Sequence, residues 1–217
     1  MTLLRKIRSI LTLGRGVTVG MRDVSETEDP VALFENWFEA AKKAGAYLPE
    51  ALSLSTSSSG GRPSSRMVLL KDYDQRGFVF FTNYESRKAG DLKDNPEAAM
   101  LFHWAFLQRQ VRIEGRVERV SREESEAYFR SRPRGSRIGA WASKQSRPLA
   151  SRDELERRVA ETEQRFKGTE IPLPDFWGGY RVIPRRIEFW QGRLYRLHDR
   201  IVFTRTEEGW ATERLFP

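Results

Sequence analysis

The chain contains no cysteine and only two histidines, His103 and His198, among its 217 residues. The first absence excludes disulfides, thiolate metal sites and a cysteine nucleophile. The second leaves too few imidazoles for a histidine-built metal centre, and no metal is expected. No apolar run approaches the ~20 residues that a membrane-spanning helix needs. With a mean hydropathy of −0.62, the chain reads as soluble, with the cytoplasm as its expected compartment and no membrane partner. There is no Gly-rich dinucleotide loop and no alternation of strands with helices, which excludes a doubly wound nucleotide-binding fold. Acids are missing from residues 1–22, which carry Arg5, Lys6, Arg8, Arg15 and Arg22. That segment has neither a long apolar run nor a small-residue cleavage site, so it does not read as a secretory leader. Residues 1–28 are expected to form a mobile basic arm, and residues 29–217 a single domain.

Positive charge is in excess. Lys and Arg number 38 against 30 Asp and Glu, giving a net charge of +8 and a pI of about 10.0. A basic balance favours anionic partners. The cations are spread along the chain and mixed with acids, and no basic tract is interleaved with aromatics. Nucleic acid is therefore not the expected partner. A small phosphorylated ligand would draw on the same charges locally.

Asp29-Pro30 opens the first helix, because Asp is a good N-cap and Pro suits the first helical position. Leu33, Phe34, Trp37, Phe38 and Ala41 follow helical spacing and mark a core face, and Gly45 stops the helix. Alternation and turn residues predict strands over 51–56, 64–71, 78–82, 98–104, 109–120, 181–190, 194–204 and 209–215. Short helices are expected over 86–95 and 138–141. Two more follow the capping boxes Ser121-x-x-Glu124, ending at Arg132-Pro133, and Ser151-x-x-Glu154, running to about Lys167. Many strands with short helices inserted predict a mainly β, α+β domain built as a closed or split antiparallel barrel.

Several charged positions do not suit plain strands or helices. Arg66 and Lys71 bracket four apolar residues; unpaired buried charge is costly, so either both reach solvent at the strand ends or they meet a ligand. Arg87 and Lys88 stand in the first turn of a helix, where the macrodipole disfavours cations. They are either surface decoration or part of an anion site at the free N–H groups. Tyr128 and Arg132, at i and i+4, project from one helix face, and with Ser136 they offer hydroxyls and a guanidinium to a phosphate. Residues 187–200 read as two strands joined at Gln191-Gly192-Arg193. Period-two alternation places Arg196, His198 and Arg200 on one face in steps of roughly 7 Å, with Tyr195, Leu197 and Ile201 facing the core. That cationic face is either solvated or answered by an anionic cofactor.

Taken in order, Arg66-Met-Val-Leu-Leu-Lys71, Ser86-Arg-Lys88, Ser131-Arg-Pro133, Trp177-Gly-Gly179 and the block Trp190 to Arg200 resemble the motifs of the pyridoxamine 5′-phosphate oxidase family. The resemblance runs from about Asp29 to Pro217. It implies an FMN-binding split β-barrel, antiparallel and Greek-key-like with short peripheral helices, acting as a homodimer with FMN at the interface. It implies flavin contacts from Arg66, Met67, Val68, Leu69, Lys71, Phe81, Thr82, Arg87, Lys88, Gln110, Trp190 and Arg200. Gln145 and Ser146 would reach the flavin of the partner subunit. Lys71, Tyr128, Arg132 and Ser136 would bind the substrate's phosphate, and Arg196 and His198 would close over the substrate as the catalytic pair.

The implied activity is oxidation of pyridoxine 5′-phosphate or pyridoxamine 5′-phosphate to pyridoxal 5′-phosphate by dioxygen, with release of hydrogen peroxide, and of ammonia from the amine. One departure stands out. Family members commonly carry an Arg and a Tyr in an N-terminal arm that closes on the substrate; here Arg8 or Arg15 can serve, but no Tyr precedes Tyr47. Two alternatives stay open at this level: a related split-barrel flavin oxidase of the phenazine-pathway type, and a non-catalytic binder of flavin or pyridoxal phosphate.

Overall fold

The computed structural model describes Met21 and residues 29–217. The expected basic arm, with Arg8 and Arg15, lies outside the described residues apart from Met21. Helix α1 spans Pro30–Lys43, and an Asp29 carboxylate oxygen accepts from the Val31 N–H at 2.8 Å, as the capping pattern predicts. Leu33, Phe34, Trp37, Phe38 and Ala41 are all buried. Phe34 lies at the centre, with its ring edge-on to Phe78 (4.9 Å), Tyr73 (5.1 Å) and Phe102 (5.1 Å). The helix therefore plugs the sheet through aromatic contacts of the geometry that quadrupoles favour.

The strands are β1 (Ala51–Ser57), β2 (Pro63–Leu69), β3 (Asp72–Asp74), β4 (Gly77–Asn83), β5 (Glu97–Trp104), β6 (Arg109–Arg119), β7 (Trp177–Gln191), β8 (Asp199–Thr206) and β9 (Gly209–Arg214). Helices α2 (Arg87–Asp94), α3 (Arg122–Ser131), α4 (Arg134–Ala142) and α5 (Arg152–Arg165) are inserted between them. Every pairing is antiparallel, in the order β2-β1-β5-β6-β7-β4-β3, with β8 and β9 added beside β7.

Strand β7 makes the sheet curl. Its first half pairs with β4 and its second half with β8, while β6 runs along its other edge. The β6–β7 register shifts between Glu114 and Gly115. A Cβ on Gly115 would sit 2.0 Å from the Ile183 carbonyl oxygen, so the irregularity requires glycine. Beyond β2, the Lys71 N–H donates to Val79 O of β4 at 2.8 Å and ties the end of β2 to β4. The result is the expected split barrel. A second core of Phe129, Ile138, Phe166, Ile171, Leu173 and Trp177 lies under α3, α4 and α5.

The largest correction falls on residues 194–204. Leu194–Arg196 form a 3-10 turn, with Tyr195 (φ 57°) and Arg196 (φ 64°) in the left-handed region, and β8 begins only at Asp199. Alternation of side chains holds only on extended backbone. Hence Arg196, His198 and Arg200 do not share a strand face, and Tyr195 and Leu197 are 89% and 67% exposed rather than core; Ile201 is buried as expected. The loop closes on itself, because the Arg193 N–H donates to His198 Nδ1 at 3.1 Å while Gln191 already pairs with Asp199. Smaller differences are a β7 that starts at Trp177, a longer α4, and a short strand β3 between the strands expected over 64–71 and 78–82.

Because Phe34 is fully buried at the helix–barrel contact, Phe34→Ala is expected to cost about 3–5 kcal/mol. A urea unfolding curve with unchanged slope and a lower midpoint would report it.

Candidate active site

A cavity of about 950 Å³ opens where β2 and β4 separate. From β2 and its end come Arg66, Met67, Val68, Leu69 and Lys71; from β4 come Phe81 and Thr82. Arg87 and Lys88 line it from the N-terminus of α2, Tyr128, Arg132 and Ser136 from α3 and α4, and Gln145 and Ser146 from the loop after α4. Both faces of β2 contribute because its outer edge carries no partner strand. Fourteen residues singled out from the sequence are thus brought together. Gln145 and Ser146, which the resemblance assigns to the flavin of the partner subunit, line the cavity of their own chain.

The cations are held without full neutralisation. Lys88 is 7% exposed. Its Nζ donates to Thr82 Oγ1 (3.0 Å), Ser86 Oγ (3.2 Å) and Gln145 Oε1 (3.2 Å), all uncharged oxygens. Burial first, and then the charge of Arg66, pull its ammonium from 10.5 down to about 8. Arg66 donates through Nη1 to Thr56 Oγ1 (2.6 Å) and through Nη2 to Ser64 Oγ (2.9 Å), with Asp91 Oδ2 at 3.5 Å. Its pKa is lowered chiefly by burial; Asp91 opposes the shift and Arg87 adds to it. Cations gathered at a helix N-terminus form a site for an anion.

The opposite wall is aromatic. Phe81 stacks on Tyr128 with centroids 4.0 Å apart, and Trp177 lies nearly parallel to both. Arg132 stands 4.7 Å from the Trp177 ring centre, and its Nη1 is buried without a hydrogen-bond partner. Burial lowers its pKa, with Tyr128 opposing. A buried donor without an acceptor is costly, and an oxyanion beside Trp177 would satisfy it. The two glycines after Trp177 make room for this wall. A Cβ on Gly178 would meet the Tyr84 hydroxyl at 2.2 Å, and one on Gly179 the Phe81 ring at 2.8 Å.

Five expected residues do not line this cavity: Gln110, Trp190, Arg196, His198 and Arg200. They gather at the far end of β7. Gln110 pairs with Trp190, and Trp190 with Arg200, so the three form a row across β6, β7 and β8. The Trp190 and His198 rings are 4.6 Å apart. Arg200 Nε donates to the buried carboxylate of Glu188 at 2.9 Å, and this hydrogen bond holds its pKa above the ordinary value. Arg196 is exposed. Trp177 and Trp190 are 13 residues apart on β7, roughly 40 Å along an extended strand, so the two ends of one strand serve different places.

Residues 39–166 match the family described as pyridoxamine 5′-phosphate oxidase, and residues 177–217 match the pyridoxine 5′-phosphate oxidase C-terminal dimerisation region. The chain belongs to the pyridoxamine 5′-phosphate oxidase family. It is 60% identical to a pyridoxine/pyridoxamine 5′-phosphate oxidase of Psychromonas ingrahamii over all of both chains. It is 54% identical to one of Rubrobacter xylanophilus over 97% of each. Among solved structures, PhzG from Burkholderia lata, in complex with tetrahydrophenazine-1-carboxylic acid, is 31% identical with a TM-score of 0.87, covering 93% of this chain and 100% of that one. An FMN-binding protein of Nostoc punctiforme shares the fold, with a TM-score of 0.69 at 16% identity over 89% of this chain and 100% of that one. Among the described residues no helix is long and apolar enough to cross a membrane.

Thr56, Ser64 and Asp91 around Arg66, and Trp177 beneath Arg132, were not singled out as site residues in the sequence. Asp91 follows Arg87 by four residues and so shares its helix face, which was the one signal available.

A phosphate dianion favours the charged form of Lys88, so its pKa rises when phosphate binds. Binding of a phosphate monoester is then flat from about pH 7, where the second phosphate ionisation is largely complete, to pH 8. Above about pH 8 the free chain loses the Lys88 proton, and affinity falls by up to tenfold per pH unit. Calorimetric titration across about pH 7 to 10 checks this; a flat profile throughout would remove Lys88 from the phosphate site.

Proposed function

We propose that the chain is an FMN-dependent pyridoxal 5′-phosphate synthase. It takes pyridoxine 5′-phosphate or pyridoxamine 5′-phosphate, uses dioxygen as acceptor, and releases hydrogen peroxide, with ammonia from the amine. The observation that carries this reading is one cavity with two sets of anion-binding groups. Arg66, Arg87 and Lys88 are held by β2 and α2; Tyr128, Arg132 and Ser136 are held by α3 and α4, with Lys71 at the end of β2. Two phosphorylated molecules, a cofactor and a substrate, account for both sets. The volume of about 950 Å³ lies at the upper end of the 300–1,000 Å³ or so typical of small-molecule sites.

The residues fit FMN: a buried ammonium without a carboxylate, two arginines beside it, and a strand whose backbone is open along the cavity. Bound there, FMN would supply a two-electron acceptor for oxidation at the substrate's C4′ carbon, one that dioxygen can reoxidise. The protein supplies binding and orientation. Arg66, Arg87 and Lys88 hold the flavin phosphate; Met67, Val68 and Leu69 run along the cofactor, with Thr82, Gln145 and Ser146 near it. Arg132, with its free Nη1, and the Tyr128 and Ser136 hydroxyls take the substrate phosphate, together with Lys71. Fixing that phosphate fixes where C4′ stands, which is the orientation term of the rate.

The remaining residues come from a second copy. The match of residues 177–217 to a dimerisation region supports a homodimer, and our reading puts FMN at its interface. In that arrangement Gln110, Trp190 and Arg200 of one chain meet the flavin of the other, and Arg196 and His198 close over its substrate. Leu194, Tyr195 and Leu197, exposed on the same loop, then have a surface to pack on.

Two measurements test this. Addition of pyridoxamine 5′-phosphate without oxygen is expected to bleach the ~450 nm flavin band, and air to restore it with formation of pyridoxal 5′-phosphate. A bound flavin that never bleaches would sink the assignment and turn attention to a carboxylate-bearing ring such as PhzG holds. Arg132→Ala is expected to raise KM for the phosphorylated amine about 30- to 100-fold, the worth of a charged hydrogen-bonded contact. Turnover of unphosphorylated pyridoxamine, which has no group for Arg132, should not change.

A further inference from the structure

Arg66 is aimed by two buried residues that themselves stand off the cavity. Thr56 on β1 is 3% exposed and Asp91 on α2 is 9% exposed. The Thr56 hydroxyl donates to Asp91 Oδ2 at 2.7 Å and accepts from Arg66 Nη1 at 2.6 Å. Asp91 Oδ2 also stands 3.5 Å from Arg66 Nη2. One carboxylate therefore fixes a guanidinium both directly and through a hydroxyl relay. Asp91 lies on the same helix as Arg87 and Lys88, four and three residues beyond them respectively. It locks the strand that carries one cation to the helix that carries the other two. A second tie, from Asn95 Nδ2 to Ser57 Oγ at 2.7 Å, fastens the other end of that helix to β1.

By charge alone Asp91 works against an anion site. A carboxylate beside three cations lowers their sum from +3 to +2 and repels a phosphate. Its contribution must come through geometry: a charge-assisted hydrogen-bond network that holds the guanidinium plane before the ligand arrives.

We propose that Asp91, with Thr56 as its relay, is the positioning residue that aims Arg66 at the flavin phosphate and so sets the preference for FMN over riboflavin. This rests on the reading of Arg66, Arg87 and Lys88 as the flavin-phosphate cradle. The position acts on phosphate recognition and leaves the ring site untouched.

The test is flavin binding to the full-length apoprotein, followed by fluorescence quenching, with FMN and riboflavin compared in every variant. Asp91→Asn keeps the shape and removes the charge; Thr56→Val keeps the shape and removes the relay. Each is expected to raise the FMN Kd about tenfold and to leave the riboflavin Kd unchanged. In an Arg66→Ala background, Asp91→Asn should have no further effect, since its action passes through Arg66. Tighter FMN binding by Asp91→Asn would overturn the proposal and leave Asp91 as a repelling charge only. Equal losses for FMN and riboflavin would reduce it to a structural residue, and unchanged binding of both would also refute it. A wild-type chain that does not discriminate FMN from riboflavin would overturn the cradle itself, and the proposal with it.

Discussion

The Lys88 ammonium is buried among uncharged oxygens, and much of the cavity answers to that one constraint. A fixed positive charge out of water is costly unless something meets it. Around Lys88 nothing anionic does so directly: Thr82, Ser86 and Gln145 give it dipoles and no charge. The split between β2 and β4 keeps the space before it open, and the α2 N-terminus sets it beside free backbone donors. Arg66 and Arg87 add to the positive field. A dianion would meet the charge that these dipoles leave unanswered.

The opposite wall works by shape. Phe81, Tyr128 and Trp177 stack because two consecutive glycines let Tyr84 and Phe81 occupy space that side chains at 178 and 179 would take. Arg132 lies over that wall with an unused donor. One wall thus recognises charge near β2 and α2, and the other presents flat apolar surface with a cation above it. A molecule that is planar and phosphorylated suits both.

The sequence was legible wherever backbone periodicity was regular. The α1 stripe, with Phe34 at its centre, and most strands appear where spacing places them. The cavity-lining residues were legible mainly through the family resemblance, because an arginine on a strand gives no sign of which partner it meets. Reading failed at Tyr195 and Arg196. Their side chains alternate in polarity like a strand, but their left-handed backbone breaks the rule that alternation depends on. The Arg193–His198 contact that closes the loop is a tertiary fact with no local signature. Asp91 was missed for a related reason: an acid on a short charged helix looks solvated until the helix is docked on β1.

Strand β7 carries Trp177 at one end and Trp190 at the other. In a two-fold dimer it would belong to two reaction centres at once, giving its aromatic wall to one and its Trp190 end to the other. Damage would then segregate by end rather than by chain. A chain defective only near Arg132, mixed with a chain defective only near His198, would rebuild one whole centre in each mixed dimer. Two inactive alleles of such a gene would complement each other, because the working unit of such a dimer would be an interface rather than a polypeptide.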